Sequence, residues 1–188
     1  MYQICVSGAA KGDSVEEGKL LAMALGAALA KAGHSLLTGA TIGLPNYSAE
    51  AYKAAGGKMS VGISPASTKV EHVMKYRLPT EAYDTILYTG LHYVGRDTLL
   101  ITSSDAVVSI GGRIGTLHEF TIAMETDTPI GFLEGAGGVG DQIEGLMDLA
   151  RPLRPGVKVC FNDSPDDLIK ELIDHLDKEH RKYHNLYQ

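Results

Sequence analysis

The segment SIGGRIGTLHEF, residues 109–120, combines residue types that can hold an anion and stabilise charge. Its three glycines, which let a backbone approach a ligand closely, are Gly111, Gly112 and Gly115. The apolar run DAVVSI precedes the segment and an amphipathic pattern follows it, so the glycines fall in a strand-to-helix turn. Free N–H groups at a helix start bind phosphate. The pattern predicts a phosphate-binding turn, to which Arg113 adds a positive charge.

Glu119 has two interpretations. Thr116 and Glu119 fit the capping-box pattern T-x-x-E, in which Thr116 is the N-cap and Glu119 bonds back to it. Alternatively, the segment is built to hold a charged ligand, and Glu119 has a function beyond the cap. The cap explains neither Arg113 nor the doubled glycine, so both interpretations stand at this point.

Other predicted strands also end in small residues. These ends are Ser7–Gly8, Thr38–Gly39, Thr89–Gly90 and Gly111–Gly112, and the loop TGATIGLPN that follows Thr38 adds Gly43. The carboxyl ends of parallel strands share one edge of a sheet, where open α/β proteins bind ligands. The ends therefore predict a site for a small phosphorylated ligand. The alternative is that such turns need small residues for steric reasons alone.

Strand patterns alternate with helix patterns along the whole chain. The strands are predicted at 3–8, 35–39, 58–64, 85–90, 106–112, 129–134 and 157–162. The helices are predicted at 14–33, 45–57, 91–103, 116–126, 141–150 and 164–180, with a capping box at Ser14 and Glu17 and a helix start at Ser164–Pro165. This order predicts an α/β fold, a doubly wound, Rossmann-like parallel sheet of about six or seven strands. Residues 1–180 would form a single domain, followed by a polar tail at 181–188.

Composition limits the classes of function. The chain has 188 residues, 44% hydrophobic content and a net charge of −6, which argues against a nucleic-acid polymer as partner. The longest charge-free apolar run, LLAMALGAALA, is about half of a membrane span, and no signal peptide is visible. We therefore expect a soluble, cytoplasmic protein without a membrane partner. Cys5 and Cys160 lie in apolar runs and are predicted to be buried, reduced thiols.

The histidines do not predict a metal site. His180 and His184 are one helical turn apart, but they lie in a polar tail without a third ligand, and His118 adjoins Glu119. We expect neither a metal nor a bound cofactor of the protein itself. Three tyrosines, Tyr83, Tyr88 and Tyr93, are predicted near the site, where they could stack on a base or serve as packing.

The sequence resembles the LOG (LONELY GUY) family of the SLOG superfamily, whose signature is PGGxGTxxE. The signature residues that match are Gly112, Gly115, Thr116 and Glu119. Gly111 replaces the proline and Arg113 replaces the second glycine. TGATIGLPN is similar to the family's GGGSxGLMG loop, and AAGGKMSVGISP is similar to AGGxVIGVIP. The resemblance covers roughly residues 3–150.

The resemblance implies a nucleoside 5′-monophosphate phosphoribohydrolase, which releases the base and ribose 5-phosphate. It implies Arg96 and Glu119 as the catalytic pair, and a homodimer. Arg96 stands at the matching distance before Glu119, but Asp97 replaces the lysine that follows the family's arginine. The chemistry is consistent, because a carboxylate stabilises positive charge that develops on the ribose. The alternative is a SLOG branch that binds a nucleotide or a nucleotide-derived cofactor, such as the molybdenum cofactor, without hydrolysis.

A second glycine motif, GAGGVG at 135–140, matches G-x-G-x-x-G after a predicted strand and before a helix. This arrangement is typical of NAD-binding loops. Against it, Asp141 is predicted as the N-cap, so the motif would precede the helix instead of opening it. The alternative is a flexible loop that acts as a lid or a dimer contact.

Overall fold

A computed structural model describes residues 1–149 and 157–186. Seven strands, all paired in parallel, form one sheet in the order β4-β3-β2-β1-β5-β6-β7. They are β1 (Gln3–Gly8), β2 (Ser35–Thr38), β3 (Ser60–Ser64), β4 (Thr85–Tyr88), β5 (Ala106–Ile110), β6 (Ile130–Leu133) and β7 (Val159–Asn162). The predicted Rossmann-like, doubly wound fold is confirmed. The strand order reverses between β1 and β5, and this switch point is where such sheets bind ligands.

Helices cover both faces of the sheet. They are α1 (Asp13–Ala32), α2 (Leu44–Ala54), α3 (His92–Thr102), α4 (Ile114–Glu125), α5 (Ile143–Leu149) and α6 (Pro165–His180). Short segments of other helix types lie at Glu71–Lys75 (π), Gly138–Gln142 (3₁₀) and Arg181–Leu186 (3₁₀). In the part of the chain described here, no helix combines the length and the apolar character that a membrane crossing requires.

The core consists of two layers, one on each face of the sheet. Along β1, Ile4 and Val6 face one layer and Cys5 faces the other, because successive strand residues point to opposite faces. The first layer receives apolar residues of α1, α2 and α6, and the second those of α3, α4 and α5. Burial on both faces explains why β1 and β5 are nearly continuous apolar runs. Cys5 and Cys160 are buried, free thiols, as predicted.

Two predicted capping boxes are wrong. α1 begins at Asp13 after Gly12, and α4 begins at Ile114 after Arg113, each without a side-chain cap hydrogen bond. The reason in α4 is the doubled glycine: Gly111 and Gly112 have φ values of 58° and 100°, which complete the turn early. The helix then starts two residues before Thr116, so Thr116 is not the N-cap. The predicted start of α6 is confirmed, because Ser164 accepts a hydrogen bond from Asp167 N at 3.3 Å.

Other boundaries differ by short stretches. The segment 65–84, for which no element was predicted, contains the π-helical turn. Asp141 is not an N-cap, because it lies inside the 3₁₀ segment that leads into α5. The predicted end of the fifth helix at 150, and positions 187–188 of the predicted tail, lie outside the described residues. The described part of the tail, 181–186, is 3₁₀.

Candidate functional site

A cleft of about 290 Å³ opens at the switch point between β1 and β5. The starts of α1 and α4 flank it, so their N–H groups lie at its edge. Of the residues predicted to form the site, those that line the cleft are Ser7, Gly8, Gly39, Arg96, Gly112, Arg113, Gly115, Thr116 and Glu119. The structure thus brings together segments that are up to about 110 residues apart in sequence.

Three predicted site residues lie behind the cleft instead of lining it: Thr38, Gly43 and Gly111. The Thr38 hydroxyl is fully buried, donates to Tyr83 Oη at 2.9 Å and accepts from Ala40 N at 3.0 Å. At Gly43 a side chain would overlap the carbonyl of Ala9. The structure places these residues where they shape the loops that form the cleft.

Glu119 lies at the floor of the cleft with 9% of its surface exposed. Ser7 Oγ donates a hydrogen bond to its carboxyl group. Burial raises the pKa of Glu119 from 4.5 to about 7, and the negative charge of Asp97 adds to this, while Ser7 and Arg96 oppose it. At neutral pH the carboxyl group therefore divides between its charged and neutral forms.

Arg96 is the buried cation of the cleft, with 4% of its surface exposed. Its Nε is 3.2 Å from Asp97 Oδ1, yet the direction of the N–H does not suit a hydrogen bond. Nε is thus an ion-pair partner that lacks a hydrogen-bond acceptor among the described residues. Because a buried donor without an acceptor is costly, the guanidinium is suited to an anionic or carbonyl group supplied by a ligand.

Asp97 and His118 belong to the same network and were not predicted as site residues. Asp97 is 6% exposed and lines the cleft, and its Oδ2 is 3.0 Å from His118 Nδ1. Asp97 therefore joins Arg96 to His118 on the neighbouring helix. The sequence signal was its position directly after Arg96, where the LOG pattern has a lysine.

Two exposed cations, Lys11 and Arg113, line the mouth of the cleft. The Arg113 guanidinium carbon is 3.9 Å from where a Cβ of Gly12 would stand, so the two cations occupy adjoining loops. Within residues 1–149 and 157–186, neither side chain forms an ion pair. Together with Arg96, they concentrate positive charge at one place on a chain of net charge −6. Lys11 was not predicted, because a lone lysine in a turn carries no pattern.

One of the three predicted tyrosines lines the cleft. Tyr93 lies at its edge, with its ring centroid 5.9 Å from the Arg96 guanidinium carbon. Tyr83 is bound to Thr38, and Tyr88 packs against His72 with ring centroids 5.6 Å apart. Of the three predicted tyrosines, Tyr93 is therefore the one placed to stack on a ligand in this cleft.

The described residues contain no group of three or more His, Cys, Asp or Glu side chains placed to hold a metal ion. His180 packs its ring against Tyr2 at 5.2 Å. The chemistry of the cleft is thus that of three cations, the Asp97 carboxyl group paired with Arg96, the Glu119 carboxyl group with its pKa raised to about 7, and helix starts without side-chain caps. This set is suited to binding a phosphorylated ligand.

Comparison with known proteins assigns this chain to a family. The model of the SLOG cluster4 family matches residues 1–168. An uncharacterized protein of Archaeoglobus fulgidus is 31% identical over 164 residues, which cover 87% of this chain and 97% of that protein. The chain belongs to the SLOG cluster4 family. The predicted SLOG resemblance is confirmed at this level, and the matching family is cluster4.

Two similar solved structures are a carrier protein and a binding protein for the molybdenum cofactor. The molybdenum cofactor carrier protein of Chlamydomonas reinhardtii has a TM-score of 0.74 and 26% identity, covering 94% of this chain and 98% of that chain. The molybdenum cofactor binding protein of Rippkaea orientalis has a TM-score of 0.71 and 27% identity, and the match covers 92% of this chain and 97% of that chain.

Proposed function

We propose that this SLOG protein binds a phosphorylated, nucleotide-derived ligand in the switch-point cleft and holds it without breaking a bond. The observation that carries the proposal is Arg96, a buried guanidinium that lines the cleft and whose Nε has no hydrogen-bond acceptor among the described residues. An anionic ligand bound against the guanidinium offsets the cost of burying this cation.

The phosphate group would bind at the mouth of the cleft. Lys11 and Arg113 flank this position, and the first turn of α4 offers N–H groups there. A side chain at Gly115 would meet nothing within 4 Å, so the backbone of that turn is open to a ligand. Arginine binds phosphate with two parallel hydrogen bonds, while lysine supplies a compact charge.

The base or other ring of the ligand would lie deeper, beside Tyr93 and Glu119. The Tyr93 ring offers a stacking surface. The Glu119 carboxyl group can accept a hydrogen bond when charged or donate one when neutral. The cleft volume of about 290 Å³ is at the low end of ligand sites, which favours a mononucleotide-sized ligand over a dinucleotide.

The cleft is less suited to N-glycosidic hydrolysis than to binding. That reaction requires a carboxylate that stays ionised as positive charge develops on the ribose. Here burial and Asp97 keep the pKa of Glu119 at about 7. Arg96, whose positive charge would keep the Glu119 carboxylate ionised, also forms an ion pair with Asp97. Arg113 also puts a charged side chain where the LOG signature has a glycine.

Hydrolysis of a nucleoside monophosphate remains the second candidate, because Arg96 and Glu119 do line the same cleft. The two candidates make different predictions for the same ligand. A binding protein returns it intact, whereas a phosphoribohydrolase returns the free base and ribose 5-phosphate.

The structural neighbours suggest the molybdenum cofactor as one ligand of the binding class. We therefore propose three probes: molybdenum cofactor released from a molybdoenzyme, AMP, and adenosine as the matched compound without phosphate. Calorimetric titration should show binding of a phosphorylated probe and no binding of adenosine. Arg96→Ala should abolish binding of the phosphorylated probe, because the variant loses the buried guanidinium. Binding of none of the phosphorylated probes would contradict the proposal.

A further inference from the structure

We propose that the 135–140 loop positions the ligand-binding turn 111–113 from the side opposite the cleft, and is not itself a nucleotide-binding loop. The assumption that the turn 111–113 binds the ligand comes from the proposed function. The position of the loop itself rests on separate contacts, given below.

The two glycine loops touch through Gly138 and Gly112. A Cβ at Gly138 would stand 2.4 Å from the carbonyl oxygen of Gly112, 2.9 Å from its nitrogen and 3.2 Å from the carbonyl carbon of Gly111. These are backbone atoms, which cannot rotate out of the way as a side chain does. Gly138 also has φ of +83°, a conformation that L side chains rarely adopt. Only glycine permits this approach.

A hydrogen bond fixes the two loops at this distance. Val139 N donates to the carbonyl oxygen of Gly112 with a separation of 2.9 Å. The loop that supplies the donor is anchored, because Ala136 within it and Ile143 just after it are 1% and 0% exposed. The turn is therefore tied to a segment that is buried in the core.

Gly112 is confined on its other side as well. A Cβ there would stand 2.0 Å from Thr116 Oγ1, and Gly112 lines the cleft. Its peptide group thus lies between the first turn of α4 and the 135–140 loop. A shift of the loop would move Gly112 and with it Arg113, which follows directly. Displacements of about 1 Å in a binding constellation are costly, which makes Gly138 a positioning residue.

The loop lacks the features of a dinucleotide-binding turn. No residue of 135–140 lines the cleft. The N–H of Val139, which a phosphate would need, is already used by Gly112. The glycine that the contact requires, Gly138, stands at a variable position of G-x-G-x-x-G, whereas the motif glycines are Gly135, Gly137 and Gly140. The match to the motif is therefore coincidental.

The test compares Gly138→Ala with Gly135→Ala in the full-length chain. Gly135 has φ of +99°, so both variants impose backbone strain, but a Cβ at Gly135 meets its nearest atom, in Leu21, at an ordinary 3.7 Å. Three measurements are made on each: the melting temperature, the amide NMR signals of Gly112 and Arg113, and AMP affinity. Gly138→Ala should shift both amide signals and weaken AMP binding by about tenfold or more. Gly135→Ala should lower the melting temperature comparably and leave signals and affinity unchanged.

Unchanged Gly112 and Arg113 signals in Gly138→Ala would overturn the proposal, as would fast hydrogen exchange of the Val139 amide in the native protein. If the native protein binds no AMP or molybdenum cofactor, the proposed function fails, while the amide signals still decide the positioning role. If Gly138→Ala does not fold, Val139→Pro removes the N–H donor without adding a side chain at position 138, although its ring also restricts the local backbone. The same shifts and weaker binding are then expected, and their absence would overturn the proposal.

Discussion

Arg96 occupies the space that a side chain at Gly39 would need. A Cβ at Gly39 would stand 1.5 Å from Arg96 Nη1 and 2.6 Å from its guanidinium carbon. The end of β2 and helix α3 meet at this point, so the absence of a side chain at position 39 is what allows the guanidinium to lie in the cleft. The predicted role of Gly39 was direct contact with the ligand, whereas what the structure shows is that its lack of a side chain makes room for Arg96.

Gly39→Ala should therefore displace Arg96 and abolish binding of AMP or molybdenum cofactor while the fold is retained. Gly145→Ala is the control, because a Cβ there meets nothing within 4 Å, and in a helix it should stabilise the protein by about 0.5–1 kcal/mol. Calorimetric titration measures the affinity and thermal denaturation measures the stability. Native affinity in Gly39→Ala would contradict the assigned place of Arg96.

Glu119 should make the protein less stable as pH rises. Its folded pKa of about 7 lies above its ordinary value of 4.5, so between these pH values the folded chain holds a proton that the unfolded chain has lost. The free energy of unfolding should fall across pH 4.5 to 7 and level off above. In the native protein this fall in the free energy of unfolding should be on the order of 3 kcal/mol, and Glu119→Gln should remove it. Denaturant titration at a series of pH values measures the fall. The exposed control Glu81→Gln should keep the native profile. A Glu119→Gln profile parallel to that of the native protein would show that Glu119 is not a buried titrating group.

Asp97 should influence the titration of Glu119 directly. Its negative charge is the second cause, after burial, of the raised pKa of Glu119. Asp97→Asn keeps the shape and removes the charge, so the pKa of Glu119 should fall. The measurement is the NMR titration of the Glu119 carboxyl carbon in native and variant protein. A midpoint that does not move would mean that the two groups are not coupled.

The cations at the mouth should contribute to phosphate affinity through charge. Lys11→Gln and Arg113→Gln should each weaken AMP binding about tenfold. In both variants the affinity for AMP should also depend less on salt concentration. Lys58→Gln, which removes an exposed lysine that does not line the cleft, is the matched control. Stronger binding in Arg113→Gln would instead show that this arginine blocks the phosphate position.

The fold could be predicted from sequence because its signals are local and repeated. Alternating apolar runs and amphipathic segments fix the parallel α/β class, and the small residues at strand ends indicate the edge that binds ligands. The helix starts at Asp13 and Ile114 were missed, since glycine turns begin these helices without the side-chain caps that sequence rules look for.

The composition of the cleft could be predicted only in part. Arg96 and Glu119 came from family resemblance, and the structure places both in the cleft. Asp97, Lys11 and the contact between Gly138 and Gly112 depend on which segments meet in three dimensions. Periodicity along the chain carries no information about such contacts. The raised pKa of Glu119 likewise follows from burial beside Asp97, which sequence alone does not show.

The most direct test of the proposed function is the fate of bound AMP. The native protein is incubated with AMP until binding reaches equilibrium, and the mixture is then analysed for AMP, adenine and ribose 5-phosphate. We expect bound AMP to be recovered intact, with equal recovery from Glu119→Gln. Release of adenine and ribose 5-phosphate by the native protein, lost in Glu119→Gln, would contradict the account and establish the hydrolase.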